Sequence, residues 1–492
     1  MRTTISKSDW LSAQQCLTKA WLGRRTTPPA LSEADLFRME QGREVGSLAR
    51  ALYPNGMLVS GTDAKSAAEV TQDLIADPSS ETIFEAAFAS GAFVARADIL
   101  QRQNEDWHVL EVKSSFSDTK DIGDLVDDLA YTVMVLRRAG LSVTRASLVL
   151  LSRTFRFGDG PTALFDIVEK TGEVNQRVIE FDKAADGIVK ILFDDTQPPA
   201  VLVSACRACD FFDEACLGSG VAHTVLEIPA LHYTKLKRLS DSGIVDLANA
   251  PDDLHLNPRQ QRAKDSALAE KTVVEPGLGA ALQTIVWPCY YLDFETVATV
   301  LPLYAGHACH RQVLTQFSLH RREKMDAEHT HSEYLADATK DCERELAEAL
   351  IDALGDKGSI IVYSSFEETR IKALRDALPD LAASLQAILD RLLNILPIIQ
   401  DHIYHPEFRG SFSIKRVLPA LVPDLSYAGL EVADGEAAIT RFARMARGEI
   451  TGDAVVTTRQ QLLEYCELDT YAMVRLHETL SHLPAAQKAG TP

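Results

Sequence analysis

YYLDFET, residues 290–296, decides how the second half of the chain reads. An apolar run interrupted by two carboxylates two positions apart is a strand pattern, and its period of two sends Asp293 and Glu295 out of the same face. Two carboxylates so placed can share a metal ion. Working outward, QVLTQFSLH (312–320) reads as an antiparallel partner strand, ERELAEALIDAL (343–354) as a helix and SIIVYSS (359–365) as a buried strand. A third carboxylate, Glu367, follows in SSFEET, where a strand edge is expected to set it beside the first pair. The closing segment RQQLLEYCELDTYAMVRLHETL (459–480) is helical, and Tyr465 and Asp469, four apart, share one face of it. Four carboxylates of this kind form a ligand set for two divalent cations that activate water against a phosphodiester.

These residues resemble the DEDD exonucleases of the RNase H-like fold, in the subgroup whose last motif is Tyr-x-x-x-Asp. Asp293 and Glu295 match the first motif, Glu367 the second and Asp469 the third, and the resemblance implies that Tyr465 orients the attacking water. The second motif ordinarily ends in Asp, so Glu367 is a departure with a longer reach. The segment HIYHPEFRGSFSIKRVLPALVP (402–423), carrying His402, His405, Arg409, Lys415 and Arg416 among aromatics, is compatible with strand contacts and equally with a surface loop.

Toward the N-terminus, LSEADLFRMEQGREVGSLARAL (31–52) has helical spacing, and FVARADIL (93–100) and WHVLEVKSS (107–115) flank a polar turn as a hairpin. DIGDLVDDLAYTVMVLRRAG (121–140) is a helix and ASLVLLS (146–152) a buried strand. Asp98 is expected at the end of the first hairpin strand. Glu111 and Lys113 share a face of the second, so Asp98 and Glu111 are metal-ligand candidates and Lys113 a group for water or developing charge. Glu85 can support the same site, and Tyr131 is expected to contact substrate.

The arrangement resembles the PD-(D/E)XK (restriction-endonuclease-like) nucleases, in the RecB-like branch that includes CRISPR-associated nucleases with an iron-sulfur cluster. Asp98 matches the family Asp and Glu111-Val112-Lys113 the Glu-x-Lys. Where many relatives carry Gly-x-x-x-His, this chain has Gly42-Arg43-Glu44-Val45-Gly46, and Asp127 stands at the expected Gln. Cys206, Cys209 and Cys216 form C-x2-C-x6-C, with Cys16 far upstream. Spacing alone allows zinc or an iron-sulfur centre. The resemblance implies [4Fe-4S], with Zn2+ as the alternative, stapling the ends of the nuclease core. Cys289, Cys309, Cys342 and Cys466 lack metal spacing and read as buried small hydrophobes.

Composition bounds these readings. At 492 residues with 46% hydrophobic and 24% charged residues, the chain is expected to fold as more than one α/β domain. The expected division is a RecB-like domain over 1–222, a helical connector over 223–284 and an exonuclease domain over 285–492. A net charge of -20 argues against nonspecific coating of nucleic acid, although carboxylate-bound Mg2+ or Mn2+ can admit a phosphodiester, and Arg321, Arg322 and Lys324 can guide a strand. The N-terminus lacks a signal-peptide core and no apolar run is long enough to span a membrane, so a cytoplasmic protein is expected. The resulting expectation is a metal-dependent nuclease acting on nucleic acid, preferably DNA. Left open are an inactive, cluster-stapled binding platform in the first half and an RNA-processing exonuclease. Together the two resemblances look like a bacterial family that fuses an iron-sulfur RecB-like module to a DEDD module.

Overall fold

The computed structural model describes residues 3–61, 64–426, 429–432 and 434–483. It is mixed α/β and divides into two compact units, the first of residues 1–201, 209–211 and 299–311, the second of the remainder. No helix among the described residues is long and apolar enough to cross a membrane.

The first unit opens with helices α1 (Lys7–Gln15), α2 (Leu17–Gly23) and α3 (Glu33–Arg50). Capping boxes, Ser6 with Asp9 and Ser32 with Asp35, start α1 and α3 by satisfying the free N–H groups of the first turn. Then follow β1 (Met57–Leu58), α4 (Ala64–Ala76), β2 (Thr82–Ser90), β3 (Phe93–Gln103), β4 (Asp106–Phe116), α5 (Ile122–Arg138), β5 (Val143–Leu151), β6 (Phe165–Glu169) and α6 (Thr171–Phe193). The six strands pair in sequence order, with β1–β2 and β4–β5 parallel and the rest antiparallel. The expected hairpin is β3–β4, and its turn is tighter than expected because Gln103 already pairs with Asp106 and Asn104 takes the left-handed conformation. Helices α5 and α6 cover one face around Trp10, Leu129, Met134 and Phe181. A second cluster on the other face, around Val45, Phe84, Ile99 and Leu151, takes in Cys309 from the 299–311 segment.

In the second unit the segment 223–284, expected as a connector, is folded with the rest. It carries, after α7 (Phe212–Ala215), helices α8 (Tyr233–Asp241) and α9 (Pro258–Ala269), strand β7 (Val273–Val274) and α10 (Leu278–Leu282). The main sheet contains β8 (Cys289–Val297), β9 (Val313–Arg322), β10 (His329–Leu335), β11 (Ser359–Val362) and β12 (Leu392–Asn394) in the order β10-β9-β8-β11-β12. β9 is antiparallel to both neighbours, whereas β8, β11 and β12 run parallel. The helices are α11 (Glu343–Leu354), α12 (Phe366–Ala377), α13 (Ala382–Leu389), α14 (Leu396–His402), α15 (Ile414–Leu421), α16 (Gly435–Ala446) and α17 (Asp453–His482), and β13 (Ile403–Tyr404) pairs with β7. Tyr290, Leu292 and Phe294 enter one apolar cluster and Cys289 and Tyr291 the other, as alternation along a doubly covered strand requires.

Candidate active sites

On β8 the face of Cys289 and Tyr291 continues outward to Asp293 and Glu295, which are half-buried. α17 lies across that face. Its apolar positions Leu462, Met473, Leu476 and Leu480 are buried, and the Tyr291 hydroxyl bonds His477 Nδ1 at 2.8 Å. Gln316 donates to the Leu462 carbonyl at 3.0 Å, and Thr470 Oγ1 sits 2.7 Å from Ser318 Oγ and 2.8 Å from His320 Nδ1. These polar bonds fix the turn of α17 that carries Asp469 and, one turn earlier, the buried Tyr465. Ligand oxygens of Asp293, Glu295 and Asp469 consequently lie within 4.8 Å of one another.

Glu367 joins them by a different route from the one expected. β11 ends at Val362, and the polar Ser364-Ser365 turns the chain into α12, so Glu367 sits in the first turn of a helix rather than on a strand edge. The residue is 3% exposed and its carboxyl is close enough to Asp293 for the two to interact, while Oε2 is buried with no hydrogen-bond partner. Burial, Asp469, Glu367 and Glu295 push the Asp293 carboxyl far above the carboxylate range. Burial and Asp469 push Glu295 up to about 8, with Lys415 of α15 the opposing positive charge, and burial raises Glu367 to about 7. Crowded carboxyls that hold protons at neutral pH, one with an unsatisfied buried oxygen, fit a divalent-cation site.

Cys466, expected to be only a core residue, belongs to this site. Its Sγ donates to Asp293 Oδ2 at 3.8 Å, and burial with the charges of Asp293, Glu295 and Asp469 keeps the thiol protonated. Of the basic residues singled out in the sequence, Lys415 acts here. Arg322 is buried and bound to Glu478 at 2.5 Å, Arg321 pairs with Glu323 at 2.5 Å, and Arg409 is held by the Ala222 carbonyl and Glu227. Arg322 is therefore not available to guide a strand.

In the first unit, the register Ile99↔Leu110 brings Asp98 level with Glu111 on one face. Asp98 lies inside β3 rather than at its end. There the β3–β4 ladder stops, and the Val112 N–H donates to Asp98 Oδ2 at 2.8 Å. Glu85 faces this point from β2, where the Phe84↔Ile99 and Ala86↔Ala97 pairs flank it in unbroken register; it is left-handed at φ 55° and meets Arg50 of α3 at 3.4 Å. Glu111 Oε1 accepts from Lys7 at 2.6 Å and Lys113 at 3.0 Å, and Lys113 also pairs with Asp128 of α5. Glu111 Oε2 is buried without a partner. Although burial opposes ionisation, the two ammonium groups hold Glu111 below the usual carboxylate range, whereas burial and Glu111 lift Asp98 to about 7. Asp98, Glu111, Lys113, Glu85 and Arg50 line one cavity of about 470 Å³.

One further expectation fails. Tyr131 does not face substrate: it is fully buried against Trp10, and its hydroxyl donates to the carbonyls of Ile5 (2.7 Å) and Val94 (3.0 Å). Asp127, at the expected Gln position, pairs instead with Arg177 of α6 at 2.6 Å, and its neighbour Asp128 reaches the site. Lys7 and Asp128 were not legible as site residues, since neither stands in a local motif.

The cysteines of the C-x2-C-x6-C motif are divided: Cys209, like Cys16, belongs to the first unit, Cys206 and Cys216 to the second. Cys16 caps α2, its Sγ accepting the Lys19 N–H at 3.5 Å, and Cys206 Sγ accepts the Val203 N–H at 3.4 Å. Both bonds are local, from N–H groups three residues away in the chain.

None of the curated proteins compared with the chain matches it. A family model described as a domain of unknown function (DUF2779) matches residues 290–413, a stretch that holds Asp293, Glu295 and Glu367.

Proposed function

We propose that the protein is a cytoplasmic, metal-dependent nuclease, DNA-directed, whose second unit carries a 3′-5′ exonuclease site. The observation that carries this reading is the convergence of Asp293, Glu295 and Asp469 within 4.8 Å, with Glu367 and its unsatisfied oxygen beside them. Strand order β10-β9-β8-β11-β12 with a single reversed strand supports an RNase H-like assignment. Mg2+ or Mn2+ bound by these carboxylates would supply Lewis-acid activation of water and stabilisation of the leaving oxygen. Tyr465, one turn before Asp469, orients the water, and Lys415 attracts the anionic strand against the site's negative charge.

For the first unit, the order α3, β2–β3–β4, α5, β5 supports a PD-(D/E)XK core in which Asp98 and Glu111 hold a metal and Lys113 stabilises developing charge. A second reading of this half, a strand-binding platform without cleavage, is favoured by one observation: Lys7 already occupies Glu111 Oε1. Cys16, Cys206, Cys209 and Cys216 are proposed to ligate a [4Fe-4S] cluster, with Zn2+ as the alternative. The deciding experiment compares wild type, Asp98→Ala and Asp293→Ala, purified without oxygen, on end-labelled single- and double-stranded DNA and RNA with Mg2+ or Mn2+. Stepwise loss from 3′ ends that disappears in Asp293→Ala is expected. Digestion surviving in an Asp293→Ala, Asp469→Ala double variant would sink the exonuclease assignment, and a preference for RNA would transfer it to RNA processing.

A further inference from the structure

Helix α3 carries two glycines, Gly42 and Gly46, one turn apart in its interior. Glycine is the poorest helix former after proline, because it gives up the most backbone freedom on ordering. Such positions usually have a local reason, a left-handed backbone or a crowding neighbour. Neither applies here. Both residues have helical backbone, a Cβ on Gly42 would meet nothing within 4 Å, and one on Gly46 would meet only Arg50 Nη1 at 3.8 Å. Among the described residues no packing contact or backbone conformation therefore accounts for them.

Both glycines line the cavity above Asp98 and Glu111, and Met39, Arg43 and Arg50 line it from the same helix face at helical spacing. Gly42 is exposed, Arg43 is exposed, and Met39 leaves 44% of its surface open. Into this cavity faces Glu111, 2% exposed, with Oε2 lacking any partner. Across it, Glu85 is held left-handed, an unfavourable conformation of the kind that collects at functional sites. A bare strip of backbone flanked by the guanidiniums of Arg43 and Arg50 is shaped for an elongated anion that must come close, and the free oxygen of Glu111 beneath it would meet that anion only through a bridging cation.

We propose that the Gly42–Gly46 strip of α3 is the track on which a nucleic-acid strand lies across the first unit, its backbone against the glycines, its phosphates between Arg43 and Arg50, and a base against Met39. The proposal rests on nucleic acid being the ligand class, and holds whether or not this unit cuts. Leucine at either glycine favours the helix and fills the track. The test measures anisotropy of a fluorescein-labelled single strand of roughly 20 nucleotides, DNA and RNA in separate arms, with Ca2+ in place of Mg2+. Wild type, Gly42→Leu, Gly46→Leu, the double variant and Gly187→Leu are compared. Gly187 is a helical control in α6 whose Cβ would likewise meet nothing within 4 Å. The double variant is expected to melt no lower than wild type and to bind about tenfold more weakly, with Gly187→Leu unchanged. A strand bearing 5-iodouracil should photocrosslink within residues 39–50 of wild type and not of the double variant.

Affinity of the double variant within about twofold of wild type, or crosslinks that avoid α3, would overturn the track. Failure of wild type to bind any strand would overturn the nuclease reading together with it. Asp293-dependent digestion with crosslinks only outside α3 overturns the track alone.

Discussion

Replacing Asp293 by Asn should abolish digestion and yet make the metal-free protein harder to melt. The reason is like-charge crowding. Two ionised carboxylates at the 4.8 Å limit of the Asp293, Glu295 and Asp469 group repel by about 3–4 kcal/mol at an effective dielectric of ~20. Part of that repulsion is already relieved by retained protons, so neutralising Asp293 should recover about 1–3 kcal/mol at pH 8, a rise of about 3–8 °C in the transition of the second unit. The sign with pH follows from linkage. Glu295 and Glu367 titrate near 8 and 7 in the folded chain against an ordinary 4.5, so the folded state binds more protons than the unfolded one between those values. Stability of the metal-free protein must then fall as pH rises through that window. In EDTA, scanning calorimetry should show wild type losing stability from pH 5.5 to pH 8 while Asp293→Asn loses less, and the two should converge at the lower pH. Mg2+ or Mn2+ should raise the wild-type transition at pH 8 and barely move the variant. A variant melting at or below wild type at pH 8 without metal would refute the crowding argument.

Other outcomes follow from single contacts. Tyr465→Phe should slow 3′-5′ digestion with an unchanged melting profile, measured on an end-labelled strand, because it removes only a hydroxyl. Tyr131→Phe should cost about 1 kcal/mol of stability by removing the hydroxyl donor shared by the carbonyls of Ile5 and Val94, and leave cleavage and strand binding at wild-type levels. Protein purified without oxygen should contain iron and absorb broadly in the visible range, and Cys209→Ser should lose both and be cut sooner by protease within its first 220 residues. Stoichiometric zinc would select the alternative metal.

What the sequence made legible was local in sequence. Asp293 with Glu295 follows from a strand period of two, and Tyr465 with Asp469 from one helical turn, so each pair could be placed without knowing the fold. Motif order points to Glu367 but the sequence places it on the wrong element, because SIIV ends where Ser364-Ser365 begins a helix, and an apolar run does not mark its own end. The orientation of Tyr131 is not legible because α5 buries every residue from Asp128 to Leu136, and a helix enclosed over that stretch offers no polar face from which to read orientation. Lys7 lies 104 residues from Glu111, and Cys466 lies 173 from Asp293. Contacts at that separation depend on tertiary packing, and a lone Lys or Cys carries no pattern. The same holds for 299–311, which sits in the second half of the sequence but gives Cys309 to the apolar cluster of the first unit.

The two sites balance charge in opposite ways, and that difference can be tested at Lys7. The second unit sets four carboxylates together with Lys415 as the opposing cation, so the chain itself leaves most of their charge uncompensated. The first sets the carboxyls of Asp98, Glu111 and Asp128 against the ammonium groups of Lys7 and Lys113, and leaves one oxygen unsatisfied, Glu111 Oε2. Lys7 contacts both Glu111 (2.6 Å) and Asp128 (3.4 Å) from α1, so it competes with a cation for the same carboxylates. Lys7→Met keeps the length of the side chain and removes the charge. Leaving Glu111 and Asp128 with one ammonium should destabilise the first unit in EDTA by a few kcal/mol, since a buried carboxylate loses a partner. The same change should tighten Mn2+ at this site by about tenfold or more, read by calorimetric titration in an Asp293→Ala, Asp469→Ala background, and Mn2+ should restore the lost stability. If the nuclease reading of this unit is right, cleavage dependent on Lys113 should then appear at lower Mn2+. Weaker Mn2+ binding in Lys7→Met would mean that Lys7 orients Glu111 for the metal rather than competing with it, and the charge argument for this site would fall.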